Sequence, residues 1–203
     1  MAQLSQAERP QGLAGRAFGA LMEQLSAANY RWVVEHLAPA KPKTYLEIGF
    51  GTGRLAEMVA ETLKPERIVG VDPAPLMRET AQKKLRRFAR TTRIDLRLGD
   101  DTALDGIDGP FDAIAATHSF QFWHDPAATL ARVHARLAPR GLFVLVLRRH
   151  TGGSRSVPNP ISRSANELGG ARRALSDAGF RIQVDETLST GSQGIVAMQR
   201  RQQ

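Results

Sequence analysis

Hydrophobic and polar positions change their period along this chain. Leu13, Ala17, Leu21 and Leu25 recur at helical spacing, with Phe18 and Met22 beside them. A second helical stretch runs from about Tyr30 to Leu37 and stops ahead of Pro39; the Pro- and Lys-rich stretch Pro39–Lys43 reads as a linker. From Thr44 onward, short apolar runs alternate with helical patterns. The runs Thr44–Ile48, Arg67–Val71, Ile94–Leu98, Phe111–Ala116 and Leu142–Leu147 predict strands. Leu55, Met58, Val59 and Leu63 share one helical face, as do Leu130, Val133 and Leu137, the latter behind Asp125 as N-cap and Pro126 in the first turn. Such alternation argues for parallel βαβ units. A loop over roughly Arg148–Ser164 follows, then a helix around Glu167–Ala178 stopped by Gly179. Phe180–Leu188 and Gly194–Gln199, separated by Ser189–Gln193, suit an antiparallel hairpin closing one sheet edge.

Composition narrows the classes. The 203 residues, 42% hydrophobic and 24% charged, fit one globular core, and the expected organisation is a single domain over 1–203. Cysteine is absent, which removes disulfides, thiolate metal sites and a cysteine nucleophile. The polar start Met1–Gln11 and the lack of a long apolar run predict no signal peptide or membrane span, with the cytoplasm as default compartment. A formal charge of +8 invites an anionic partner. Its densest cluster, Lys83, Lys84, Arg86, Arg87, Arg90 and Arg93, reads better as a solvated helix face than as a nucleic-acid patch, because no aromatic residues interleave with it.

Chemistry concentrates in Tyr45-Leu46-Glu47-Ile48-Gly49-Phe50-Gly51-Thr52-Gly53, which runs from a strand into a helix. Glycines there let the chain turn tightly and let a ligand approach, and the following helix aims unpaired N–H groups at it. Asp72 ends the next strand, nineteen residues after Gly53, where an acid can accept both hydroxyls of a ribose; it can equally cap the helix beyond Pro73. The glycine spacing is E-x-G-x-G-x-G, whereas a dinucleotide fingerprint would place glycine where Arg54 or Ala56 stands, and no Gly-Lys-Ser/Thr is present.

With these features the sequence resembles the class I S-adenosylmethionine-dependent methyltransferases, in particular their type 11 small-molecule branch, over about Thr44 to Leu147. LEIGFGTG, VGVDPAPLM, LRLGDDTAL, GPFDAIAATHSFQFWHDP and LAPRGLFVLVL stand in that family's motif order, and ELGGARRALSDAGFRIQVDE resembles its last helix and sixth strand. The resemblance implies a Rossmann-like α/β fold with a seven-stranded, mostly parallel sheet of order 3-2-1-4-5-7-6, strand seven antiparallel, helices on both faces. It also implies a helical cap over 1–40, a cofactor core over 44–147 and a closing segment over 148–203. S-adenosylmethionine would be held by Glu47 at the methionine amino group, by Gly49, Phe50, Gly51 and Gly53 of the turn, and by Asp72 and Pro73 at the ribose. Asp100 would meet the adenine amino group with Asp101 beside it, and Thr117 would close the site; S-adenosylhomocysteine would be the product.

Methyl transfer from a sulfonium needs alignment above all, and a general base only for a protonated acceptor. His118, and less well His124, are candidates for that base; His118 can equally just pack or touch cofactor. Phe120, Phe122 and Trp123 suit an apolar acceptor pocket or a core. An Asn/Asp-Pro-Pro-Tyr segment is missing, with Ala116-Thr117-His118-Ser119 in its place, and no metal site is expected. The expectation is transfer to a small-molecule acceptor by a monomer or homodimer, with no membrane partner. The alternatives are an RNA or protein methyltransferase using the basic surface, and a cofactor-binding protein without turnover.

Overall fold

The computed structural model describes residues 12–149 and 165–200, with side chains from 23 to 149 and 168 to 200. Most of the loop expected over Arg148–Ser164, and the side chains of Leu13 to Met22, lie outside the described residues. The described chain runs α1 (Gly12–Leu37), β1 (Thr44–Ile48), α2 (Arg54–Thr62), β2 (Arg67–Asp72), α3 (Pro75–Leu85), β3 (Arg93–Leu98) and β4 (Phe111–Thr117). It continues with α4 (Pro126–Arg136), β5 (Leu137–Leu147), α5 (Ala165–Asp177), β6 (Phe180–Thr187) and β7 (Gln193–Gln199).

One seven-stranded sheet has the order β3-β2-β1-β4-β5-β7-β6. The first five strands pair in parallel, and β7 lies antiparallel between β5 and β6. Successive strand side chains point to opposite faces, so each central strand feeds two cores. Leu46, Ile48, Ile114, Ala116, Phe143 and Leu145 pack with α4 and α5. Tyr45, Ala113, Ala115, Val144 and Val146 pack with α1, α2 and α3. Burial on both faces is why β1, β2 and β4 read as mostly apolar runs rather than alternating ones.

Helix starts follow local chemistry. Asp125 accepts a hydrogen bond from Ala128 N at 3.0 Å ahead of Pro126, and Gly179 takes φ 87° just past α5, both as the sequence predicts. Two elements differ from expectation. The two N-terminal helical stretches form one 26-residue helix, because no proline intervenes and Ser26 and Asn29 at the junction are buried against the rest of the fold. Its buried face is Ser26, Asn29, Val33 and Leu37, and Leu25 is 53% exposed. Strand β5 begins at Leu137 rather than Leu142: Leu137 pairs with Phe111, then the register shifts before Leu142 meets Ala113.

Candidate functional site

The glycine turn leaves the carboxyl end of β1, where open α/β sheets receive ligands. Gly49 N donates to Val71 O at 2.8 Å, bringing the turn against β2, and Gly53 N donates back to Phe50 O at 2.8 Å. A Cβ on Gly49 would lie 2.6 Å from Ser119 Cβ, so the turn and the segment after β4 touch. Ser119 secures that contact by donating Oγ to Ile48 O at 2.7 Å. Gly51, at φ +51°, is different: a Cβ there would meet nothing within 4 Å among the described residues. Of the turn's three glycines, Gly51 alone has this open space among the described residues. The Phe50 side chain points instead into the core, its ring filling the room that Gly70 leaves, so only its backbone belongs to the turn.

Asp72 combines both roles expected of it. Its Oδ2 accepts from Gly51 N at 2.8 Å and its Oδ1 from Ala74 N at 2.9 Å, tying the glycine turn to the entry of α3. Burial raises its pKa despite these two N–H donors. Pro73 next to it is half-buried. Glu47, on the α1–α3 side of β1, is buried and accepts from Tyr45 OH at 3.2 Å. Burial pushes its carboxyl well above 4.5, with Asp72's charge adding to the rise. Tyr30 of α1 feels the same carboxylate, and burial lifts its phenol to about 12. A buried carboxyl in this state would gain from a cationic neighbour.

Asp100 and Asp101 divide. Asp100 is exposed and its Oδ1 accepts from Thr102 N at 2.9 Å and Thr102 Oγ1 at 2.6 Å. Asp101 is buried and accepts the Thr129 hydroxyl, which fastens the turn to α4. Thr117, at the end of β4, has a buried Oγ1 with no hydrogen-bond partner among the described residues.

His118 follows in the left-handed region at φ 57°, a conformation that costs a residue with a Cβ about 1 kcal/mol or more. Its Nε2 lies 3.2 Å from Asn29 Nδ2 and 3.4 Å from Ser192 Oγ, joining α1 and the β6–β7 turn to the site. Burial, and then the charge of Arg148, lower its pKa to about 4, so the ring is neutral at pH 7. His124 is exposed. Of the aromatic trio, Phe120 and Trp123 are buried in the α4–α5 core with ring centroids 4.9 Å apart, whereas Phe122 is 40% exposed.

The structure thus brings Glu47, the glycine turn, Asp72, Thr117 and His118 to one end of the sheet. Asn29, Ser119 and Ser192 belong to this neighbourhood and were missed by sequence reasoning. A signal existed for Asn29: with Ser26 it is a polar interruption in a helical stripe that continues as Val33 and Leu37. The basic cluster on and after α3 is largely exposed and partly neutralised, with Lys84 on Glu23 at 2.6 Å and Arg87 on Glu57 at 3.1 Å.

A family model described as "Methyltransferase domain" matches residues 46–143, which include the glycine turn and the first five strands up to Phe143. The sheet carrying that match has the strand order and antiparallel β7 implied by the sequence motifs. The matched domain and the strand order make the chain similar to the class I S-adenosylmethionine-dependent methyltransferases. Among relatives, a demethylmenaquinone methyltransferase of Thermus thermophilus is 33% identical over 122 residues, 59% of this chain and 54% of that protein. A malonyl-[acyl-carrier protein] O-methyltransferase of Priestia megaterium is 31% identical over 96 residues, covering 47% and 33%. The chain spans about half the length of the first of these and a third of the second. In fold, the chain is similar to a Haloferax volcanii putative methyltransferase solved in complex with the Trm112 methyltransferase activator. That likeness has TM-score 0.78 at 16% identity, covering 99% of this chain and 100% of that one. The pyocyanin biosynthetic protein PhzM gives TM-score 0.69 at 19% identity, covering 92% and 58%. Among the described residues, no helix is long and apolar enough to cross a membrane.

Proposed function

We propose that this protein transfers a methyl group from S-adenosylmethionine to a small-molecule acceptor. One observation carries the reading: open space over Gly51, flanked by Asp72 on its N–H and by the buried carboxyl of Glu47 on the same strand end. The residues fit the cofactor's chemistry. Glu47 is a buried acid suited to an ammonium, Asp72 still has lone pairs to offer ribose hydroxyls, and the Thr117 hydroxyl lacks a partner among the described residues. Gly49, Gly53 and the backbone of Phe50 shape the cradle, Pro73 borders it, and the exposed Asp100 is the acid placed for an adenine amino group. Asp101 supports Asp100 from the α4 side.

When bound, S-adenosylmethionine supplies a methyl on sulfonium, whose bonding electrons stay on sulfur as the acceptor's lone pair forms the new bond. The protein's task is then to hold the acceptor in line and keep water away. Helix α1 packs near Glu47 through Tyr30 and brings Asn29 to His118, so this helix acts as cover and the core over 44–147 as the cofactor platform. The names of the relatives above point to acceptors other than nucleic acid, and the ion pairs of Lys84 and Arg87 weaken the case for an RNA surface. Calorimetry tests the reading directly. S-adenosylhomocysteine should bind in the low to middle micromolar range, roughly 6–8 kcal/mol, and metabolite screening for its release should find turnover. Absence of binding by the folded protein would refute the proposal.

A further inference from the structure

The base role for His118 requires a lone pair free to take a proton, and the structure spends that lone pair elsewhere. Asn29 and Ser192 are 1% and 3% exposed, and both reach His118 Nε2. The orientation of the Asn29 amide is set by its other end. Thr190 Oγ1 accepts from Ser192 N at 3.3 Å and donates its own hydrogen to Asn29 Oδ1 at 2.5 Å. Nδ2 therefore faces Ser192 Oγ, at 3.1 Å, and His118. An amide nitrogen has only hydrogens to give, so Nε2 is the acceptor, and a neutral imidazole accepting at Nε2 carries its proton on Nδ1. Among the described residues no hydrogen-bond partner meets Nδ1; both contacts of the ring are at Nε2. The backbone adds to this fixing: His118 N donates to Val146 O at 2.9 Å, and Gln121 Nε2 donates to His118 O.

We infer that Asn29 and Ser192 are positioning residues that lock His118 as an Nδ1–H hydrogen-bond donor, and that this donor, beside Arg148, selects an acceptor presenting an anionic oxygen. The inference rests on the methyltransferase reading for its reaction and deepens it by naming the acceptor class. A phenolate, enolate or carboxylate fits both features, a neutral N–H donor and the guanidinium of Arg148, two residues past Val146, whose carbonyl accepts from His118 N and whose strand pairs with β4. Such an acceptor also resolves the missing base. Its oxygen-centred charge supplies the electron pair of the new bond to the methyl carbon, the carbon–sulfur pair stays on sulfur, and no proton has to leave. Burial and Arg148 hold the ring neutral, which keeps the donor in one tautomer across the physiological range.

Long-range proton–nitrogen correlation on the full, nitrogen-labelled chain reads the tautomer without any cofactor. His118 should show a protonated Nδ1 and an unprotonated Nε2 from pH 8 to pH 5. Finding the proton on Nε2, or a titration near 6.5, overturns the assignment. Asn29→Asp keeps the shape but offers an acceptor where the amide gave a donor; it should move the proton to Nε2 and raise the titration. Ser192→Ala should leave the tautomer unchanged, since Asn29 still donates; a switch there would mean that Asn29 does not set it. For the acceptor class, benzoate titrated into protein saturated with S-adenosylhomocysteine should shift the His118 Nδ1 signal, while benzamide should not. The response should weaken about tenfold in Asn29→Asp, the scale of one hydrogen bond to a charged group. An equal response to both probes, or none to either, removes the anionic-oxygen half. Failure of S-adenosylhomocysteine to bind at all would strike the methyltransferase reading and leave the tautomer result standing.

Discussion

Two glycines of the same turn should answer the same substitution in opposite ways. Gly51 and Gly53 both lie at positive φ, +51° and +76°, so alanine at either costs roughly 1 kcal/mol for the left-handed conformation. Surroundings then separate them. A Cβ on Gly53 would sit 2.6 Å from Ala81 Cβ and 2.9 Å from Ala81 Cα, where α2 and α3 cross, and that second atom is backbone and cannot swing aside. Overpacking of this kind adds about 1–3 kcal/mol, for a total of roughly 2–4 kcal/mol and a fall in melting temperature of about 5–15 °C in a domain of this size. The methyl on Gly51 enters open space, so Gly51→Ala should lower the melting temperature by only about 2–4 °C. It should still weaken S-adenosylhomocysteine at least tenfold, about 1.4 kcal/mol, because the methyl takes the space a ligand would use. Scanning calorimetry and titration calorimetry on both variants give the comparison. Unchanged affinity in folded Gly51→Ala, or equal melting temperatures in the two variants, would refute the reasoning.

Glu47 sets a pH dependence. As an acid whose folded pKa is raised by burial, it favours the fold below about 4.5 and loses that contribution as pH climbs toward the folded value. Glu47→Gln without ligand should therefore be more stable than the parent protein at pH 7–8, by a margin that vanishes below pH 4.5, while binding S-adenosylhomocysteine more weakly; thermal melts across pH decide it. Asp72→Ala should lose both readouts together, since it strips partners from Gly51 N and Ala74 N: roughly 2–3 kcal/mol of stability and at least tenfold in affinity. A variant with intact melting temperature and lost affinity would show that only the ligand contact mattered. Deleting residues 1–40 should yield an unfolded or aggregating chain by circular dichroism, because Val33, Val34 and Leu37 belong to the α1–α3 core.

Strand positions were legible because their cause is local: β1, β2 and β4 are largely apolar and buried on both faces, Gly49 follows β1, and Asp72 and Pro73 mark the end of β2. Even the antiparallel pairing of β7 follows from the short Ser189–Gln193 separation. Helix α1 was misjudged as two helices because its continuity depends on what buries Ser26 and Asn29, which no window of sequence contains. The early start of β5 was hidden in the same way, since Leu137 completes an apolar helical face and also pairs with Phe111. At the site, the glycine turn and Asp72 announced themselves by spacing. The surroundings of His118 could not, for Asn29 and Ser192 stand 89 and 74 positions away from it in sequence. Its tautomer is therefore a property of the assembled fold.

The bonds from Asn29 to Thr190 and Ser192 span 161 and 163 positions, and Trp32 crosses a similar stretch to reach Glu186 and the backbone of Gly194. During synthesis α1 leaves the ribosome well before the β6–β7 hairpin, and its landing surface is complete only when that hairpin emerges. At 5–20 residues per second that interval lasts on the order of ten seconds or more. Throughout it, Val33, Val34, Leu37 and the Trp32 ring lack part of their native cover. Contacts of such sequence separation also slow refolding, so the final docking of α1 is the step most exposed to aggregation.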